Sequence, residues 1–138
     1  MDEPSINEHG VEASAPNIFA WSEIDAVRFD DGTRGQIVSG ANMHLIRAVY
    51  PPGSVYEMHS HPYEQFSLLL AGRIRLTVGE ETREVQAGDA WFAPPDVPHG
   101  GEILGDDDAV FIDVYAPATT YILDLFATAT PMPAGELD

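Results

Sequence analysis

From Ile18 onward the chain is a succession of short apolar segments, each stopped by glycine or proline. Met43–Tyr50 runs into Pro51-Pro52-Gly53, and Gln65–Ala71 turns at Gly72. Arg73–Val78 alternates, with Ile74, Leu76 and Val78 on one face and Arg73, Arg75 and Thr77 on the other, then turns at Gly79-Glu80-Glu81. Thr82–Gln86 returns to Ala87-Gly88, Ala90–Ala93 ends at Pro94-Pro95, and Ala109–Tyr115 follows the acidic turn Gly105–Asp108. Period-two alternation in pieces this short predicts antiparallel strands, which must stack or roll into a sandwich or barrel to bury their apolar faces. Only Thr120–Ala127, with Tyr121, Ile122, Leu125 and Phe126 apolar, has the spacing of a short helix.

At 138 residues with 44% hydrophobic content, the chain is long enough for one domain with a real core. Residues 1–17 are acidic, polar and aperiodic and are expected to be a mobile arm; 18–127 form the single domain; 128–138 are expected to be a loose tail. Twenty-three acidic residues stand against six arginines, lysine is absent, and the formal charge is −17. Such a surface repels nucleic-acid phosphate and anionic lipid, so neither is an expected partner. There are no cysteines, which excludes disulfides, thiolate metal sites and cysteine nucleophiles. No apolar run has membrane length and no export signal is visible, so a cytoplasmic location is expected. Ile18–Trp21 and the apolar C-terminal piece are suited to covering sheet edges in a second subunit, and a homodimer is expected.

Three of the five histidines fall in two segments. The first reads Gly53-Ser-Val-Tyr-Glu-Met-His59-Ser-His61-Pro-Tyr-Glu64-Gln65 and closes at Gly72. The second reads Gly88-Asp-Ala-Trp-Phe-Ala-Pro94-Pro-Asp96-Val-Pro98-His99. Along an unbroken strand His59, His61, Tyr63 and Gln65 share one face and Glu64 the other, which favours Gln65 as a third ligand. Pro62 interrupts the ladder, so Glu64 stays open as the alternative. His99 opens a strand toward Ile103 and brings a further donor from elsewhere. Imidazoles gathered this way are the commonest protein ligands for one divalent transition ion. Zn, Fe, Ni, Mn and Cu are not distinguishable by this donor type.

With this layout, over roughly residues 35–117, the chain resembles the cupin superfamily, whose two motifs correspond to 53–72 and 88–99 here. The resemblance implies an all-β double-stranded β-helix, the jelly roll, to which the spacing of Thr120–Ala127 adds a short C-terminal helical segment. It also implies His59, His61, Gln65 and His99 as metal ligands. Gln65 stands where the family usually has glutamate, and Ile103 where an asparagine often closes the second motif. Three neutral imidazoles and a neutral amide leave the +2 charge of an ion uncompensated, favouring Lewis-acid chemistry over redox cycling. Asp113-Val-Tyr115-Ala-Pro117 further resembles a stretch in small cupins of pectin and alginate breakdown, which act on unsaturated uronates. Their functional arginine is replaced by Thr119.

Phe111, Asp113 and Tyr115 share a strand face, and a carboxylate beside a metal in a partly apolar barrel is placed for acid–base work. Asp113 and Tyr115 are therefore the expected catalytic groups. Arg47 is the expected holder of an anionic substrate group, and Tyr56, Tyr63, Trp91 and Phe111 the expected pocket wall. His44, on the opposite strand face from Arg47, is expected to be structural or exposed. The leading expectation is a mononuclear metal enzyme using enolate chemistry, of lyase, isomerase or ring-opening type, on a small oxygenated, uronate-like substrate. A metal-dependent dioxygenase on a phenol or diketone, and a non-catalytic small-molecule binder, are the rivals.

Overall fold

The alternation read in the sequence becomes two antiparallel sheets. The computed structural model describes residues 6–133. The strands are β1 (Ala26–Arg28), β2 (Arg34–Ser39), β3 (His44–Tyr50), β4 (Val55–His59), β5 (Glu64–Ala71) and β6 (Arg73–Val78). After them come β7 (Glu81–Gln86), β8 (Ala90–Ala93), β9 (His99–Leu104), β10 (Ala109–Ala116), helix α1 (Thr120–Thr128) and β11 (Thr130–Met132). One sheet has the order β11-β1-β2-β3-β10-β5-β8 and the other β4-β9-β6-β7. The all-β roll with one short helix near its C-terminus is thus the expected architecture, with strand limits within a residue or so of those read from the sequence.

The inner faces hold the core. Leu69, Ile74 and Phe111 are fully buried between the sheets, with Leu76, Val85, Trp91 and Ile103 packed around them. Truncating a ring such as Phe111 in this setting would cost about 3–5 kcal/mol. The outer face of β5 and β8 carries an exposed apolar row, Phe66, Leu68, Leu70 and Phe92, with the Phe66 and Phe92 rings 4.7 Å apart. Among the described residues no helix is long and apolar enough to cross a membrane.

Two segments depart from expectation. The tail from residue 128 is not wholly loose: Thr130–Met132 is an edge strand on β1, with Pro131 opposite Val27. Proline is tolerated there because an edge strand leaves one row of N–H groups unused. The C-terminal piece expected to cover a partner's edge therefore covers an edge of its own sheet. The described part of the arm is docked. Asn7 accepts from the Val11 and His9 amides and donates to Ala118 O at 2.7 Å, Val11 is fully buried, and Ser14 N reaches Ser39 O. The remaining arm and tail positions, 1–5 and 134–138, lie outside the described residues.

Candidate metal centre and adjoining cavity

His59 ends β4 and His99 opens β9, and the two face each other across that antiparallel pair. Their approach needs a bare backbone at the next position. A Cβ on Gly100 would lie 2.6 Å from Tyr56 O and 2.8 Å from Met58 N. The chain leaves β4, turns through Ser60–Tyr63, and enters the other sheet as β5. His61 sits in this turn, tied to the second segment by a 2.7 Å bond from Asp96 N to His61 O. Asp96 adopts φ 65° to make the turn into His99. Along β5 burial alternates, so Gln65 is fully buried and Glu64 exposed. Gln65 rather than Glu64 therefore joins the histidines. The face-sharing argument favoured the residue that the structure buries beside the histidines, although no single strand joins His59 to Gln65.

The nearest ligand atoms of His59, His61 and His99 all lie within 4.8 Å of one another, so the three histidines are positioned to bind a metal ion. Each ring has its Nδ1 against a backbone carbonyl: His59 on Glu57 O (2.7 Å), His61 on Tyr63 O (2.8 Å), His99 on Val97 O (2.9 Å). A carbonyl only accepts, so Nδ1 carries the proton and each Nε2 is left with a lone pair. The Gln65 amide is oriented by a further relay. Ser67 Oγ donates its proton to Asp113 Oδ1 at 2.5 Å and so needs a donor itself; Gln65 Nε2 supplies one at 2.8 Å. That turns Gln65 Oε1 toward His61 Nε2 and His99 Nε2, 3.1 Å from each. Three acceptors thus face one another with no proton among them. The arrangement is repulsive in the bare protein and is relieved by a cation, so the donor set fits a divalent metal.

Burial holds the His99 ring at about 4, against the Val97 carbonyl, with His59 and His61 adding to the lowering. Burial also lowers His59. Both rings are neutral at pH 7 and ready to donate lone pairs. Asp113, buried, is pushed up to about 7 by desolvation, opposed by its bonds from Ser67 and Gln65. Burial and the Asp113 carboxylate hold the Tyr115 hydroxyl well above its ordinary value, so it keeps its proton.

Beside the histidines opens a cavity of about 330 Å³. His59, Tyr56, Asp113 and Tyr115 line one part of it, and Phe29, Ile122, Leu125 and Phe126 another. The two expected catalytic groups and Tyr56 are therefore where the sequence reading put them. The other expected wall residues are not. Tyr63 is stacked on the His61 ring at 4.0 Å, and Phe111 is core, stacked on Tyr50 at 4.9 Å. Trp91 packs edge-on against Phe111 and borders a different cleft.

Arg47 is the larger correction. It pairs across β2 with Gln36, whose Oε1 accepts from its guanidinium at 3.3 Å, and across β10 with Ile112. Both place it on the outer face of the sheet, away from Asp113. Its neighbour His44 is the inward residue, fully buried and joined to Ser39 Oγ (2.7 Å) and to the Thr119 backbone (3.0 Å). It is structural. Ser67 was missed; a small polar residue between Gln65 and Leu69 on a buried strand face was the signal for it.

The profile of the family described as "Cupin domain" matches residues 46–115. Among curated proteins the chain is 29% identical over 120 residues to the H2HPP isomerase of Bacillus subtilis, covering 80% of this chain and 51% of that one. It is 35% identical over 71 residues to an uncharacterised protein of Methanocaldococcus jannaschii, covering 51% of this chain and 57% of that one. The chain thus spans little more than half the length of these relatives. Among solved structures, KdgF from Halomonas sp. superposes with a TM-score of 0.71 at 24% identity, over 78% of this chain and 99% of that one. At that identity it speaks for the fold. A family match across half the chain, on the stretch that carries every one of the convergent donors, makes this protein a member of the cupin family.

Proposed function

We propose that this cupin is a metal-dependent enzyme that moves a proton on a small oxygenated substrate, in a reaction of isomerase, lyase or ring-opening type. One observation carries the reading: the Gln65–Ser67–Asp113 relay connects the donor cluster to a buried carboxyl that lines the same cavity as His59. A divalent ion held by His59, His61, His99 and Gln65 would supply Lewis acidity toward a substrate oxygen, undiminished by any anionic ligand. Asp113 is poised near neutrality, where a carboxyl can take a proton from one carbon or oxygen and return it to another. Tyr115, kept protonated on the same strand face, can donate a hydrogen bond to a developing negative oxygen. Ser67 and Gln65 hold the Asp113 carboxyl in one rotamer. The curated relative named as an isomerase, aligned over 80% of this chain, supports a non-oxidative reaction.

The test is proton exchange. Zinc-loaded protein in deuterated water should exchange the α-hydrogens of an enolisable dicarbonyl compound, followed by NMR. Asp113→Asn should reduce the rate by about 100-fold or more, with bound metal unchanged by elemental analysis. Exchange that ignores the Asp113 substitution, or no exchange across a panel of such compounds, removes the proposal.

A further inference from the structure

The cavity beside the histidines has two unlike ends. Near His59 it is polar, with Asp113, Tyr115 and Tyr56 converging. Beyond Ile46, the cross-strand partner of Asp113, the lining turns apolar toward β2, where Phe29, Ile122, Leu125 and Phe126 form a wall in which Phe29 and Phe126 meet edge to face at 5.3 Å. That wall depends on Gly35. A Cβ there would lie 3.1 Å from the Phe126 ring, so the glycine lets the ring lie against the sheet.

Charge is distributed just as unevenly. Among the described residues, the ionised side chains on the lining are acidic: Asp31 and Glu57, with Asp113 within. Lysine is absent from the chain, and none of the six arginines lines the cavity. Arg34 is paired with Asp108, Arg73 with Glu84, Arg83 with Glu81, and Arg47 bonds Gln36 on the outer face. Arg28 lies across from Arg34 on β1, and Arg75 sits on β6 opposite Glu84 and Glu102. A substrate anion anywhere but the His59 end would lose its water and meet carboxylates instead of a cation.

We infer that the cavity selects a substrate with one oxygen-bearing end and an uncharged, apolar body, and rejects substrates whose body is charged or polyhydroxylated, uronates included. The inference deepens the proton-moving reading and rests on it only in taking the His59 end as the reacting end. Specificity of this kind comes from exclusion as much as from fit, because the acidic rim penalises the wrong ligand. Phe29, Ile122, Leu125 and Phe126 set the body, and Gly35 sets the depth available to it.

A matched pair of probes decides the matter by binding alone. Calorimetric titration of zinc-loaded protein should show benzoylacetone binding about tenfold or more tighter than para-carboxybenzoylacetone, and galacturonate weaker than benzoylacetone. Leu125→Arg, at a position 43% exposed and so able to carry charge, should shift the ratio of the two affinities toward the carboxylated probe by about tenfold or more, strengthening that probe and weakening benzoylacetone, whose apolar wall it interrupts. Equal or tighter wild-type binding of the carboxylated probe overturns the inference, as does failure of benzoylacetone to bind. The wild-type comparison decides even if the variant fails to fold. Protein that discriminates the pair but exchanges no α-hydrogen keeps the cavity inference and loses the enzymatic reading; protein that exchanges hydrogen but binds both probes equally does the reverse.

Discussion

The cleft between β7 and β8 encloses about 360 Å³, slightly more than the roughly 330 Å³ beside the histidines. Both β7 and β8 are edge strands of their sheets, so the cleft is the seam where the roll fails to close. Leu76, Val78, Val85, Trp91 and Phe92 line it, with Glu81, Arg83 and Asp89 also on its lining. Its charges are solvated: Arg83 and Glu81 are exposed and 3.8 Å apart. Its buried polar atom, the Trp91 indole nitrogen, has no hydrogen-bond partner. At the other cavity the buried polar atoms are linked in a line from Asp113 through Ser67 and Gln65 to two histidines. Volume reports where sheets stop pairing. Convergence of oriented, desolvated polar groups reports chemistry.

The sharpest way to break this contrast is to remove one polar group from each place. His61→Ala deletes a lone pair from the donor cluster and should lower metal affinity by more than the ~10–100-fold that loss of an outer-shell partner costs. Trp91→Phe deletes the unpartnered N–H and should leave metal affinity within about threefold and stability within ~1 kcal/mol. Competitive titration against a chelator and chemical denaturation measure the two. A Trp91 effect on metal binding as large as that of His61 would erase the distinction.

How far the sequence disclosed these regions depends on what kind of signal each carried. His59, His61, Gln65 and His99 were legible because spacing and turn residues specify them without any knowledge of which sheet face is inward. Arg47 was not. On β3, Leu45 and Val49 lie outward and His44, Ile46 and Ala48 inward, and both faces are apolar because the outer one is covered too. Ala26, Val110 and Met132 pack on Val49, while Gln36 binds Trp21 O and Ile24 O beside Arg47. Alternation gives two faces but cannot order them when each has a cover. Phe111 is a different case: it shares the inward face with Asp113 and Tyr115 but lies farther along β10, where the two sheets close on it, while Tyr63 sits in the turn before β5 and stacks on His61. The apolar wall of Phe29, Ile122, Leu125 and Phe126 joins a loop to a helix distant in sequence, which no local pattern encodes.

A smaller change probes the relay that separates the two cavities. Ser67→Ala removes the nearest acceptor for Gln65 Nε2, leaving only the long contacts to Tyr56 Oη (3.4 Å) and Asp113 Oδ1 (3.5 Å), and takes from Asp113 its 2.5 Å donor. The amide is then free to turn its nitrogen toward the histidines, where it cannot serve as a ligand. Metal affinity should fall by about tenfold, and Ser67→Thr, which keeps the hydroxyl, should recover most of it. Unchanged affinity in Ser67→Ala would mean that the amide is oriented by something else.

The smallest effect is the acid response of metal-free protein, and it comes from the histidine end alone. His99 is held at about 4 when folded against 6.5 unfolded, and His44 and His59 are also lowered by burial. Below pH 6.5 the unfolded chain gains protons that the folded rings refuse. The stability these rings contribute is full above 6.5 and is lost as pH falls. Asp113 acts in the opposite sense. Its folded value of about 7 lies above the unfolded 3.8, so its contribution is present at low pH and lost as pH rises through 7. Between pH 6.5 and 5 the His99 loss and the Asp113 gain are each about 2 kcal/mol and nearly cancel, so His44 and His59, both lowered by burial, set the sign of the net change, a loss. Asp113→Asn removes the compensation, so its urea stability should fall by about 2 kcal/mol more than wild type over that interval. A variant slope no steeper than wild type would show that the carboxyl is not buried as drawn. Amide exchange should then find acid opening the β4–β9 pairing before β6–β7, because the titrating rings sit on the former and none sits on the latter.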